Sequence, residues 1–307
     1  MIEASAMRLR SIGFGVRDVE GQARFLRDVF GLVEEGRENG CVRFSAPGSI
    51  EPAVTTLRPA PMDRADAVAL GVDSRDRVDQ MHDHLVRLEA NVVGGPGPTP
   101  DGGYGFEVFD PEGHLLSISA GTAVRTPPGH QHGQGVPLDL SHVVLNSSDN
   151  AALSNWYCTA LGFRVTDWLE DKLVFMTTSR YHHQIALAAT PQPGLNHVAY
   201  ECADIDDFMR ATGRAMRLGH QVLWGPGRHG PGDNAFAYFR SPAGFVCEFT
   251  TELMVADSPD WVVRTWEAVP EQSDLWGTSN PRPPAFGASG DPGLGILPGS
   301  PEELRAA

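Results

Sequence analysis

The feature that most limits how this chain can fold is that it repeats itself. Shifted by 131 positions, Asp18 falls on Asp149, Phe25 on Trp156, Gly31 on Gly162, and Pro111 and Gly113 on Pro242 and Gly244. A shift of 130 lays Leu88 on Leu218 and Gly95-Pro96-Gly97 on Gly225-Pro226-Gly227. So many anchors at nearly one offset mean two halves with one fold. Each half divides again. An apolar run over residues 12–16 reads as a strand, and Asp18 opens a helix with Ala23, Leu26 and Phe30 near helical spacing. Gly31 is suited to cap that helix in the left-handed region. Residues 41–57 read as two strands. A second unit follows: a strand over 68–72, a helix over 75–88, a Gly/Pro turn, then strands near 105–109 and 114–119.

The expected fold class is therefore α+β. Two tandem domains, 1–120 and 139–252, each hold two βαβββ modules whose strands form a curved, barrel-like mixed sheet. A polar linker over 121–138 joins them, and a Trp- and Pro-containing tail, 253–307, follows. For the tail, with Trp261, Trp266 and Trp276, three placements stay open: over a barrel mouth, at a subunit contact, or wrapped on the surface.

With 41% hydrophobic and 21% charged residues, a chain of 307 residues builds packed cores. Its formal charge of −15 leaves no basic surface for nucleic acid or an anionic membrane. No run of 18 apolar residues is present and the N-terminus carries no leader-like apolar stretch, so no membrane span and no secretion are expected. The cysteines at 41, 158, 202 and 247 form no CxxC pair, which fits reduced thiols in the cytoplasm.

The repeat also supplies an internal control. Where the second half has His142, His197 and Glu248, the same offsets give Ser11, Ala67 and Ser117 in the first. Small residues suffice to pack these strands, so the two imidazoles and the carboxylate answer to something else. Glu248 sits in the apolar run Phe245-Val-Cys-Glu-Phe-Thr, where an unpaired carboxylate is costly to bury. This donor set suits a divalent first-row metal with open coordination positions. The stretch 179–201 adds a histidine pair, a short apolar strand, a turn and a second strand, and reads as putting His183 and His197 on neighbouring strands. Strand alternation turns His182 away from His183. His114, His130 and His132 read as structural or linker residues, and His82 and His84 as solvated on a helix.

These residues resemble the type I extradiol ring-cleavage dioxygenases of the vicinal oxygen chelate superfamily. His142 in LSHVVLN, His197 in LNHVAYE and Glu248 in GFVCEFTTE match that family's metal ligands. YHHQIALAA is similar to its HHxIALAA segment, and GRHGPGDNAFAYF to the loop and strand bearing a further histidine and a tyrosine. The resemblance implies Fe(II), ahead of Mn(II), and extradiol cleavage of a catechol-type ring with both atoms of O2, giving a muconic semialdehyde-type product. It implies His183 as acid/base, His229 as a hydrogen-bond partner of the substrate, Tyr238 as a donor to its oxygen, and a homo-oligomer. The turn between His183 and His197 looks one residue short, and the loop 230–234 is rich in Gly and Pro; both bear on which catechol fits. Two other classes stay open: another metal-dependent enzyme of the superfamily, an isomerase or thiol transferase, and a ligand-binding module of the same fold.

Overall fold

The structure, a computed structural model, describes residues 7–129, 132–283 and 286. His130 and the end of the tail lie outside the described residues. Four βαβββ modules follow one another. The first is β1 (Arg8–Val16), α1 (Val19–Arg24), β2 (Val33–Glu38), β3 (Cys41–Ser45) and β4 (Thr55–Pro59). The second is β5 (Arg64–Gly71), α2 (Arg75–Arg87), β6 (Asn91–Pro98), β7 (Tyr104–Phe109) and β8 (Leu115–Ala120). The third is β9 (Asp139–Ser147), α3 (Asn150–Leu161), β10 (Arg164–Leu169), β11 (Leu173–Thr177) and β12 (Ile185–Ala189). The fourth is β13 (Gly194–Glu201), α4 (Ile205–Arg217), β14 (Trp224–Arg228), β15 (Ala235–Arg240) and β16 (Val246–Thr251). The tail adds β17 (Arg264–Trp266) and α5 (Pro270–Ser273).

Each domain makes one mixed sheet. At its centre the first strands of its two modules pair antiparallel, β1 with β5 and β9 with β13. Each of these pairs on its other side with a parallel strand, the last of its own module. The second sheet runs β14-β15-β16-β13-β9-β12-β11-β10-β17. This order corrects the expected adjacency of His183 and His197. β9 lies between β12 and β13, and His183 precedes β12 rather than lying on it. A four-residue turn in sequence here crosses a strand in space.

The first domain closes the back of this sheet. The end of α1 widens into a π turn over Phe25–Val29, in which Phe30 N–H donates to Phe25 carbonyl. Gly31, at φ +76°, then turns the chain as the cap reading requires. Phe30 stacks on Phe249 at 4.1 Å and meets Tyr200 edge-on at 5.5 Å. Phe14 meets Phe245 at 4.5 Å. Burying one such ring is worth about 2–3 kcal/mol, so the domains share one core. Tyr200 and Phe249 alternate with Ala199 and Glu248, so this packing leaves the opposite face of the sheet for chemistry. On α2, His82 and His84 are half-buried rather than solvated: His82 meets Phe106 edge-on and His84 Nε2 lies 3.1 Å from the Thr159 carbonyl.

Candidate metal centre

One cross-strand row builds the centre. Ala199 on β13 is the register partner of Glu248 on β16 and of His142 on β9. His197, two residues before Ala199, shares its face. Residues from three strands thereby converge: His142 Nε2 and His197 Nε2 each lie 3.2 Å from Glu248 Oε2, and all three side chains are buried. The row continues outward through Tyr238, opposite Glu248, to Trp224, opposite Tyr238. In the first domain the matching row is Ser11, Ala69 and Ser117. The fold repeats the geometry there without the donors.

The protonation pattern tests whether a metal fits. His197 Nδ1 lies 2.9 Å from Asn196 Oδ1, and Asn196 is itself held by its amide nitrogen on Asn146 Oδ1. His142 Nδ1 lies 3.2 Å from Ser141 Oγ. With Nδ1–H donating to oxygen in both rings, both Nε2 lone pairs face the carboxylate, the orientation seen for metal-bound histidines. Burial pushes His142 down to about 3 and His197 down to about 4, so both imidazoles are neutral and ready to ligate. Burial pushes the Glu248 carboxyl up, and its Oε1 is buried without a hydrogen-bond partner. Two imidazole lone pairs and a carboxylate aimed at one point are completed by a divalent cation, which also offsets the cost of burying the charge. The residues fit a metal.

Ala199 stands at the middle of this row with its side chain fully buried. A leucine there would fill the space between the donors. Ala199→Leu should therefore fold, at a cost of about 1–3 kcal/mol, yet take up no stoichiometric metal by elemental analysis. One bound metal per chain in that variant would show that the row is not the centre.

His183 arrives from the loop before β12, its ring 4.3 Å from that of His142. Contrary to the expectation from alternation, His182 does not turn away into a separate environment. It is fully buried, its Nδ1 lies 2.9 Å from His183 Nδ1, and its Nε2 lies 3.1 Å from Asp167 Oδ2. Alternation fails because the two residues belong to a loop. Asp167 in turn accepts from the Arg264 amide at 2.9 Å and the Trp266 indole at 2.8 Å. The chain of contacts has one consistent sense. The carboxylate only accepts, so His182 donates from Nε2 and accepts at Nδ1; His183 then donates from Nδ1 and keeps a lone pair on Nε2. Burial holds His183 well below the ordinary histidine range, so that lone pair persists at neutral pH.

On the other side, His229 Nδ1 lies 3.0 Å from the Ser273 carbonyl and its Nε2 lies 2.9 Å from the Tyr238 hydroxyl. A carbonyl only accepts, so His229 donates from Nδ1, and its Nε2 accepts the Tyr238 proton. Burial keeps His229 near 3, neutral, consistent with that sense. The Tyr238 oxygen thus keeps lone pairs that can accept a further hydrogen bond. Two apolar walls flank the donors: Trp224, Phe236, Tyr238, Val246 and Phe286 on one side, and Val144, Leu169, Phe175 and Ala186 on the other.

The tail supplies Arg264, Trp266, Ser273 and Phe286 to this arrangement, so it covers the site, one of its three open placements. Asp167, Asn196 and Ser273 were missed by sequence reasoning. A buried Asp in the strand RVTDWL was a usable signal for the first. Nothing local marks Ser273, which acts through its backbone carbonyl. Among the described residues, His132, Asp204 and Asp207 also approach one another at the start of α4, with His132 exposed and Asp207 buried.

Residues 8–118 and 139–249 match the family described as the Glyoxalase/Bleomycin resistance protein/Dioxygenase superfamily. A metapyrocatechase 2 of Cupriavidus necator is 30% identical over 190 residues, 55% of this chain and 58% of the relative. An iron-dependent extradiol dioxygenase of Rhodococcus jostii (strain RHA1) is 30% identical over 188 residues, 55% of this chain and 61% of the relative. The matches thus span about three fifths of the length of these curated relatives. Among solved structures, a Mn(II)-bound glyoxalase from Novosphingobium aromaticivorans is 37% identical, with a TM-score of 0.87 over 91% of this chain and 93% of that one.

Proposed function

The chain belongs to the Glyoxalase/Bleomycin resistance protein/Dioxygenase superfamily, and on that premise we propose that it cleaves a catechol-type ring outside the diol, inserting both atoms of O2 to give a muconic semialdehyde-type product. The observation that carries this is the meeting of one metal-ligand set with a neutral base, His183, between two apolar walls. The extradiol dioxygenases among its relatives support the same chemistry. We assign His142, His197 and Glu248 as metal ligands, with Fe(II) ahead of Mn(II). When bound, the metal supplies Lewis acidity and open positions for the two diol oxygens and for dioxygen.

This chain's own groups do the rest. His183 Nε2 takes a proton from a diol hydroxyl and later returns it. The Tyr238 oxygen accepts from the other hydroxyl and orients the ring, while His229 holds Tyr238 and lies within reach of the substrate. The walls around Phe175 and Trp224 exclude water and hold a flat aromatic. The proposal extends to a homo-oligomer in the cytoplasm, in keeping with four cysteines that form no disulfide.

A second reading is favoured by the name of the 37%-identical relative: a metal-dependent glyoxalase-type isomerisation. Anaerobic loading with Fe(II) or Mn(II), then addition of a catechol panel and oxygen, separates the two. Ring cleavage gives a yellow product with one O2 consumed per catechol. Protein shown to hold its metal, yet inert with every catechol and active on a hemithioacetal, would replace the first reading by the second.

A further inference from the structure

Arg282, from the tail, stands against the aromatic wall beside Tyr238. Its guanidinium carbon lies 5.3 Å from the centre of the Trp224 ring and 4.7 Å from that of Phe286. Trp224 is stacked on Tyr238, 5.5 Å apart and within 6° of parallel. Phe286 meets Tyr238 at 4.7 Å and His197 at 6.2 Å. One aromatic ring therefore separates the guanidinium from a ligand histidine. Its charge also reaches inward, since it acts on both the His229 imidazole and the Tyr238 phenol.

Among the described residues no carboxylate pairs with Arg282. Partners are not scarce: the chain has 39 acidic residues against 24 lysines and arginines. Arg228, from the same wall, is tied to both Asp233 and Glu252. A guanidinium lying on aromatic faces keeps its N–H edge free, and that edge matches a carboxylate in two-point geometry. A protein of net charge −15 repels an anionic substrate, so taking one in requires a local cation.

We propose that Arg282 receives a carboxylate borne on the substrate, so that the catechol cleaved here is a carboxylated one. This rests on the ring-cleavage reading above. The guanidinium stands over Trp224 and Phe286 with a single ring, Phe286, between it and His197, so a substrate held by its diol at the ligands can turn an acid on the same aromatic toward Arg282.

The test uses the metal-loaded protein with protocatechuate and dihydrocaffeate, each beside its methyl ester, which keeps the shape and removes the charge. The wild type should favour at least one acid over its ester in kcat/KM. Arg282→Gln should lower that acid-to-ester ratio about 10- to 100-fold, the scale of a charge-assisted hydrogen bond, through KM rather than kcat. Arg282→Lys, which keeps the charge and loses the fork, should fall between. An acid-to-ester ratio near one in the wild type, or one that Arg282→Gln leaves unchanged, overturns the proposal. Calorimetric binding of the two acids and their esters to metal-free protein gives a second readout. If no catechol is cleaved, ring cleavage fails, and this binding preference and its loss in Arg282→Gln still decide the role of Arg282.

Discussion

Glu248→Gln should strip the protein of its metal while leaving the metal-free fold at least as stable as the wild type. Gln keeps the shape of the side chain and removes the charge. Glu248 Oε2 is the atom nearest both ligand imidazoles, so the loss falls on the metal. Removing one partner of a buried charge pair costs about 3–5 kcal/mol, or a hundred- to several-thousandfold in affinity. Without metal the sign reverses, because the wild type must bury a carboxylate whose Oε1 has no partner. Its pKa is raised above the ordinary 4.5 by burial. A raised carboxyl pKa means that the folded state binds the proton more tightly, so stability is present at low pH and lost as pH rises through the folded value. Relative to metal-free wild type, the Gln variant should therefore gain stability as the pH rises above the ordinary carboxylate value, where the buried carboxyl of the wild type is forced to ionise. Melting curves with and without metal check this. The wild type should gain about 4 kcal/mol at a thousandfold excess of metal over Kd, and the variant almost none. A variant that binds metal normally would show that Glu248 is not a ligand.

Asp167→Asn should leave the metal bound and slow turnover about 10²- to 10⁴-fold, close to the effect of His183→Ala. Asp167 touches neither the ligands nor the slot; it acts on His183 through His182. An asparagine that keeps its oxygen on the Arg264 amide, the partner of Oδ1, places its NH2 where Oδ2 stood, toward His182 Nε2 and at the cost of the Trp266 indole bond. His182 then accepts at Nε2 and carries its proton on Nδ1, facing His183. To avoid two opposed donors, His183 must move its own proton to Nε2, and the base at the metal is lost. Nitrogen-15 chemical shifts of metal-free protein should show His183 changing tautomer, which a loss of packing alone would not produce. His182→Gln should reduce kcat with little change in KM. Wild-type kcat in Asp167→Asn would remove Asp167 and His182 from the mechanism.

How much was legible beforehand depended on how each residue acts. The candidate metal ligands stood out because the chain contains its own control: Ser11, Ala67 and Ser117 fill the corresponding strand positions with no donors. The modules were legible because strand and helix periods, and caps such as Gly31 and Gly162, are local properties. His182 was misplaced because alternation was applied to residues that form a loop. His183 and His197 were taken for strand neighbours because a short turn usually joins paired strands, whereas here β9 intervenes.

The sequence by itself determined the repeat, the four modules, the donor set and the half of the molecule that holds it, since side-chain chemistry and short-range periodicity are written residue by residue. Only the tertiary structure decided that Ala199 joins His142 to Glu248 in one row, that Asp167 and Ser273 set the direction of two proton-holding chains, and that the tail brings Arg282 and Phe286 over the slot. Those contacts join residues tens of positions apart through register, backbone carbonyls and stacking. No local pattern encodes them, because their energy exists only once the sheet has closed.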